Sequence, residues 1–228
     1  MTITCYMCGS LGKTKEHVPP KCIFPAIKYT NGKNFRKNLI TVSSCERHNS
    51  EKSKDDLYFF YCLSMNVLSN SEAQNQFMTK IKRDITRNNE LINRILKDNK
   101  AVKIENTETG NIENTIALKL ENERILNQLD SISRAIHFHH YKEKWLGKVN
   151  IFNNFLLSDD VEINNSVTKM DSMLDDLFTN IEFHGENKEI FKYQVYDSSE
   201  IGVGEKIIRL YFYEGNRVNL VFGKINNN

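Results

Sequence analysis

Two short pairs of metal-binding side chains constrain this chain more than anything else in it: Cys5-Tyr6-Met7-Cys8 and Cys45-Glu46-Arg47-His48. Two residues separate the members of each pair, so each pair can present both donors to one ion from a tight turn. Thiolate sulfur and imidazole nitrogen suit tetrahedral Zn²⁺, and an ion shared by Cys5, Cys8, Cys45 and His48 staples the two segments together. Free cysteine is often only a small buried hydrophobe, but two correctly spaced pairs make structural zinc the better reading. The chain has five cysteines. An odd number argues against a disulfide framework and for a reducing, cytoplasmic setting. Cys22 and Cys62 have no such spacing and read as core thiols.

All three prolines (Pro19, Pro20, Pro25) fall between the ligand pairs and none follows, so an irregular start gives way to longer regular elements. The pattern turns helical from Cys45, with Leu57, Phe60, Tyr61, Leu63 and Met65 on one face. Residues 66–75 read as a polar break, and 76–98 as a second amphipathic helix. Two strands, about 102–105 and 114–120, follow around a turn with Gly110. A third helix is expected over 121–145, stopped by Gly147, then loop and helix over 150–180. The end alternates like strands at 189–197, 206–213 and 217–223, separated around Gly202-Val203-Gly204 and Glu214-Gly215-Asn216. These patterns predict an α+β chain: an N-terminal zinc-stapled module over 1–60, then an accessory region over 61–228 of helices, a hairpin and a C-terminal antiparallel meander. With 39% hydrophobic and 26% charged residues the balance is that of an ordinary globular chain. No apolar run reaches the ~20 residues of a membrane span, and no basic-then-apolar leader opens the sequence.

Charge is uneven. The net formal charge is +2, yet residues 1–54 carry ten Lys/Arg against three acids. A basic N-terminal segment on a mildly acidic body suggests a polyanionic partner at that end. In that segment stand Glu16-His17, between the ligand pairs, and Asn49, beside the last ligand. Phosphodiester hydrolysis needs a base for the attacking water and a cation for the developing charge. His17 titrates near neutrality and can be that base. Glu16 and Asn49 are oxygen donors suited to a hard ion such as Mg²⁺ or Mn²⁺. Lys21, Arg47 and Lys52 are candidate phosphate contacts.

Glu16-His17-Val18-Pro19-Pro20-Lys21, then Asn38-Leu39-Ile40-Thr41-Val42, then Cys45-Glu46-Arg47-His48-Asn49-Ser50-Glu51-Lys52-Ser53 resembles the HNH endonuclease pattern. The resemblance implies a ββα-metal module, an acid-His pair ending the first strand, and a last His or Asn at the start of the following helix. It implies that His17 is the general base, that Glu16 and Asn49 bind the catalytic metal, and that Asn38 orients the His17 ring. Zinc-stapled members carry two Cys-x-x-Cys pairs; here the second is Cys45…His48, which keeps a competent donor. The resemblance further implies a nucleic-acid substrate, DNA favoured, with 5′-phosphate and 3′-hydroxyl products. The accessory region would serve positioning, a partner protein or a homo-oligomer, in the setting of antiphage defence or a mobile element.

Plainer roles compete for each residue: a turn cap for Glu16, a helix cap for Asn49, a structural ring for His17, a strand-end turn for Asn38. His137, His139 and His140 read as packing or surface rather than as a site. The rival functions are a zinc module that binds nucleic acid or docks a partner without cutting, and an RNA-cleaving toxin.

Overall fold

A computed structural model describes residues 3–50, 53–87, 89–105, 109–158, 160–198 and 206–223. Near the N-terminus two short strands, β1 (Thr14–His17) and β2 (Thr41–Ser44), pair antiparallel, with Glu16 opposite Val42 and His17 opposite Thr41. Single 3₁₀ turns at Lys21–Ile23 and Ile27–Tyr29 fill the connection, as its prolines require. β2 runs almost directly into α1 (Glu46–Ser50), and α2 spans Ser53–Ser64. Glu51, Lys52, the Gly202-Val203-Gly204 turn and the Asn226–Asn228 tail lie outside the described residues.

α2 is the hub. Every residue from Tyr58 to Ser64 is buried, as happens to a helix covered on all sides rather than along one stripe. It packs on α6 (Asn122–Tyr141), on the first 3₁₀ turn and on the helices that follow it. Phe59 meets Phe212 of the C-terminal sheet edge-on, with centroids 5.4 Å apart. One buried cluster runs from Cys5 and Tyr6 through this helix to Phe222, so residues on both sides of position 60 share a core.

The polar stretch expected as a break is shorter than its composition suggests. α3 (Ser71–Gln76) begins inside it because Asn70 caps it, its side chain accepting from the amides of Glu72 and Ala73. α3 continues through a π turn (Phe77–Ile81) into α4 (Lys82–Thr86). The helix expected over 76–98 is therefore two helices. Asn89 caps a separate α5 (Glu90–Lys97) by accepting from Leu91 and Ile92, so the apolar periodicity crosses a real boundary. The expected hairpin is present, longer at its start, as β3 (Asn99–Glu105) and β4 (Ile112–Leu118), with Gly110 at φ +70°. α6 ends before Gly147, at Lys142 in the left-handed region (φ +61°), whose amide bonds to the Phe138 carbonyl.

The C-terminal sheet has four strands in the order β5-β8-β7-β6, all antiparallel: β5 (Val149–Asn153), β6 (Phe191–Asp197), β7 (Lys206–Phe212) and β8 (Asn216–Phe222). The meander is the expected one; β5, read as loop or helix, adds to its edge. The inner face (Ile208, Leu210, Phe212, Val218, Leu220, Phe222) is wholly buried. The outer face carries Arg209, Arg217 and Asn219, which bind Asp171 and Asp175 of α7 (Val161–Phe178). A polar network, more than apolar area, holds α7 to the sheet. No described helix is long and apolar enough to cross a membrane.

Candidate metal centre

Residues 3–12 fold back on themselves beside β2. Thr4 bridges Leu11, the amides of Cys5 and Gly12 bond to the carbonyls of Ser10 and Ile3, and Tyr6 N–H reaches the Ser43 carbonyl. Gly12 is needed for this closeness, since a Cβ there would lie 2.9 Å from that of Ser43 and 3.1 Å from the Thr4 backbone. The tight loop presents Cys5 and Cys8 toward the junction of β2 and α1, where Cys45 and His48 stand. All four ligand atoms lie within 4.8 Å of one another. Cys5 Sγ is 3.5 Å from His48 Nδ1, Cys45 Sγ is 3.3 Å from the same nitrogen, and Cys8 Sγ is 3.9 Å from Cys45 Sγ. A tetrahedral ion with Zn–S of about 2.3 Å and Zn–N of about 2.0 Å calls for ligand separations of roughly 3.5–3.8 Å. The donor set therefore fits zinc in chemistry and in spacing.

The surroundings favour a thiolate at Cys8 and oppose one at Cys45. At Cys45 a backbone hydrogen bond at His48 lowers the thiol, but burial and the neighbouring Cys5 and Cys8 raise it further, a conflict that a shared cation would remove. The Met7 amide donates toward Cys5 Sγ at 3.5 Å, and hydrogen bonds from Ser10 hold the Cys8 thiol down to about 6. Lys144, beyond the end of α6, ties the loop down by donating to Thr4 Oγ1 and the Cys8 carbonyl, both at 2.8 Å. Cys22 and Cys62 stand apart from this set. Burial pushes both thiols up to about 12, as inert core groups require.

Glu16 and His17 occupy consecutive positions of β1 and so point to opposite faces. Glu16 is buried, one oxygen accepting from Tyr6 Oη at 3.4 Å. On the same face Thr14 Oγ1 accepts from Asn49 Nδ2 at 2.9 Å. That bond joins hairpin to helix through the Asn49 Nδ2, so its side-chain oxygen is the atom that could face a cation. His17 is half-buried, and burial first, then the charges of Lys21 and Arg36, lower its pKa below the ordinary histidine value.

Asn38 is placed elsewhere. Its backbone is left-handed (φ +51°) and its amide donates to Glu186 Oε1 at 3.4 Å, across 148 residues of sequence. Lys21 and Arg47 are exposed; Lys52 lies outside the described residues. His137 is buried among Tyr141, Trp145 and Phe222, with Nδ1 3.2 Å from the Glu143 carbonyl. The His140 ring rests against His184 and Tyr193.

Sequence reasoning missed Arg36, although it shares the basic segment with Lys21. Its position is set by the Phe24 carbonyl, which accepts from its Nε at 2.9 Å, a contact no local pattern announces. Comparison with models of protein families, with curated proteins and with solved structures finds no match.

Proposed function

We propose that the chain is a metal-dependent nuclease of the HNH (ββα-metal) type that hydrolyses phosphodiester bonds in nucleic acid, with DNA favoured over RNA. One observation carries the reading. An antiparallel hairpin ends its first strand in Glu16-His17 and runs from its second strand into a helix bearing His48 and Asn49, with four zinc-competent ligands at the junction. A module that only bound nucleic acid would need the ligands and the basic surface, but not a half-buried histidine at the strand end with two oxygen-bearing side chains, Glu16 and Asn49, on the hairpin's other face.

The division of labour follows from donor chemistry. Zinc on Cys5, Cys8, Cys45 and His48 would leave no open position and serve the fold. Glu16 and Asn49 would hold a hard divalent ion, Mg²⁺ or Mn²⁺, which when bound supplies positive charge to the phosphate and the leaving oxygen. His17 takes the proton from the attacking water. Its lowered pKa keeps the imidazole neutral, and so able to accept, at neutral pH. Lys21 and Arg36, whose charges produce part of that shift, also draw a phosphate toward the ring.

The second reading is a zinc module that binds nucleic acid without cutting. Asn38 favours it, because its amide is spent on Glu186 instead of on the His17 ring. Labelled DNA and RNA incubated in parallel with Mg²⁺, Mn²⁺ or EDTA separate the possibilities. Ion-dependent cleavage that Glu16→Gln and Asn49→Ala each abolish is the expected result. Binding without cleavage would establish the second reading, and cleavage confined to RNA would indicate a toxin-like activity.

A further inference from the structure

The segment 21–36 and the continuous 71–86 helix lie against each other and gather cations that are distant in sequence. Gln76 Nε2 donates to the Ile23 carbonyl at 2.7 Å, and Arg83 donates to Tyr29 Oη at 2.7 Å. Between these clamps the π turn at Phe77–Ile81 shifts the helix register, a distortion that recurs at functional sites. Lys80, within that turn, places its ammonium 4.2 Å from the centre of the Phe60 ring. On the facing segment Arg36 is anchored on the Phe24 carbonyl, and Lys28 lies 4.9 Å over the Tyr29 ring.

Lys21, Arg36 and Lys80 make no ion pair with a carboxylate among the described residues, whereas Arg83 has only Asp84 at 3.8 Å. Asp84 in turn accepts from Tyr61 at 2.8 Å. Lys33, by contrast, is paired with Glu189 at 2.5 Å and so is spent. Burial lowers the Lys80 pKa; Cys22 and Asp84 oppose the shift, and the charges of Arg36 and Arg83 add to it. Among the described residues one carboxylate, Asp84, faces the Lys80, Arg83 and Arg36 charges, so positive charge is left in excess and an anion sharing the site would relieve the repulsion. The Phe24 and Ile23 carbonyls hold Arg36 and Gln76, which sets Arg36 and Lys80 on adjoining elements, and the Arg83–Tyr29 bond closes the far end; the charges of Lys21 and Arg36 also act on His17.

We propose that the groove between segment 21–36 and the 71–86 helix is a backbone track for nucleic acid, with Arg36, Lys80 and Arg83 holding phosphates that flank the one at His17. The track rests on the nuclease reading only for which phosphate lies at His17. Holding the strand by its phosphates on one side of the hairpin fixes the register of the scissile bond without reading bases.

Salt-dependent binding of a fluorescein-labelled DNA duplex tests it. The comparison uses His17→Ala, the same chain with Lys80→Gln and Arg83→Gln added, and a control with Lys100→Gln and Lys103→Gln on the exposed β3 strand. The track predicts that the double change lowers the log–log salt slope by about two and weakens binding at least about tenfold, while the control leaves both unchanged. A slope unchanged by Lys80→Gln/Arg83→Gln overturns the track, even if wild type cleaves the duplex. A reduced slope, with no cleavage by wild type, keeps the track and defeats the nuclease reading. The charge-conserving pair Lys80→Arg and Arg83→Lys should retain the slope. Loss of slope in that pair as well would assign the effect to folding and count against the track.

Discussion

Three thiols and an imidazole within 4.8 Å of one another form an arrangement that repels itself once the thiols ionise, unless a cation shares it. The protein should therefore carry one zinc per chain. Cys45→Ala should lose it and lower the melting midpoint by roughly 6–12 °C, taking about 3 kcal/mol for the staple in a chain of this size. Full zinc content in Cys45→Ala, measured by metal analysis, would contradict the assignment. A second residue-scale consequence concerns acid. His137 is fully buried and its pKa is lowered, chiefly by desolvation. The unfolded chain then takes up a proton near pH 6.5 that the folded chain refuses, so this contribution to stability is complete above pH 6.5 and is lost as pH falls below it. Melting temperature should drop on acidification through that window, and His137→Phe should flatten the drop. It should not abolish it, because His139 and His140 are shifted the same way. Identical pH profiles for the two proteins, at matched zinc content, would sink the idea.

At the scale of elements, α7 shows what a polar attachment implies. Arg209 is 1% exposed and its guanidinium is satisfied by Asn219, Asp171 and Asp175. Asp171→Ala leaves a buried guanidinium short of its counter-charge and should destabilise by about 3 kcal/mol or more. Asn70→Ala, which removes the cap of α3 and the amide's bonds to the Glu189 carbonyl and Glu214, should cost about 1–2 kcal/mol. Urea unfolding of both variants decides whether that order holds. The elements also show which patterns could be read in advance. The meander was legible because alternation and turn residues coincide at Glu214-Gly215-Asn216. β5 was not, since its five residues leave too little alternation to tell strand from loop. Periodicity predicts one helix over 76–98 because Ile85, Leu91 and Ile92 keep a helical period across the Asn89 cap, which hides the boundary.

At the scale of the whole molecule, the ligand set was legible because metal spacing is a local property. Cys5, Cys8, Cys45 and His48 are two local pairs, and the fold brings the pairs together. The Asn38–Glu186 and Lys144–Cys8 contacts span more than a hundred residues and leave no local trace. The proposed phosphate track is of the same kind, because segment 21–36 and the 71–86 helix are joined through the Gln76–Ile23 and Arg83–Tyr29 bonds. Through these contacts the accessory elements clamp the hairpin. Glu186 and Asn187 reach Asn38 and Lys37, Tyr213 reaches the Ile23 carbonyl, and Lys144 reaches the metal loop. They tie the segments on either side of the hairpin to the rest of the fold.

If His17 is the base of a nuclease, cleavage of supercoiled plasmid depends on it. Wild type and His17→Ala, matched in zinc content and melting temperature, would be compared with Mg²⁺ or Mn²⁺ and with EDTA. Wild type should nick or linearise the plasmid only with the ion, and the variant should do so about 10²–10⁴ times more slowly. Equal cleavage by His17→Ala, or cleavage that persists in EDTA, would contradict this reading.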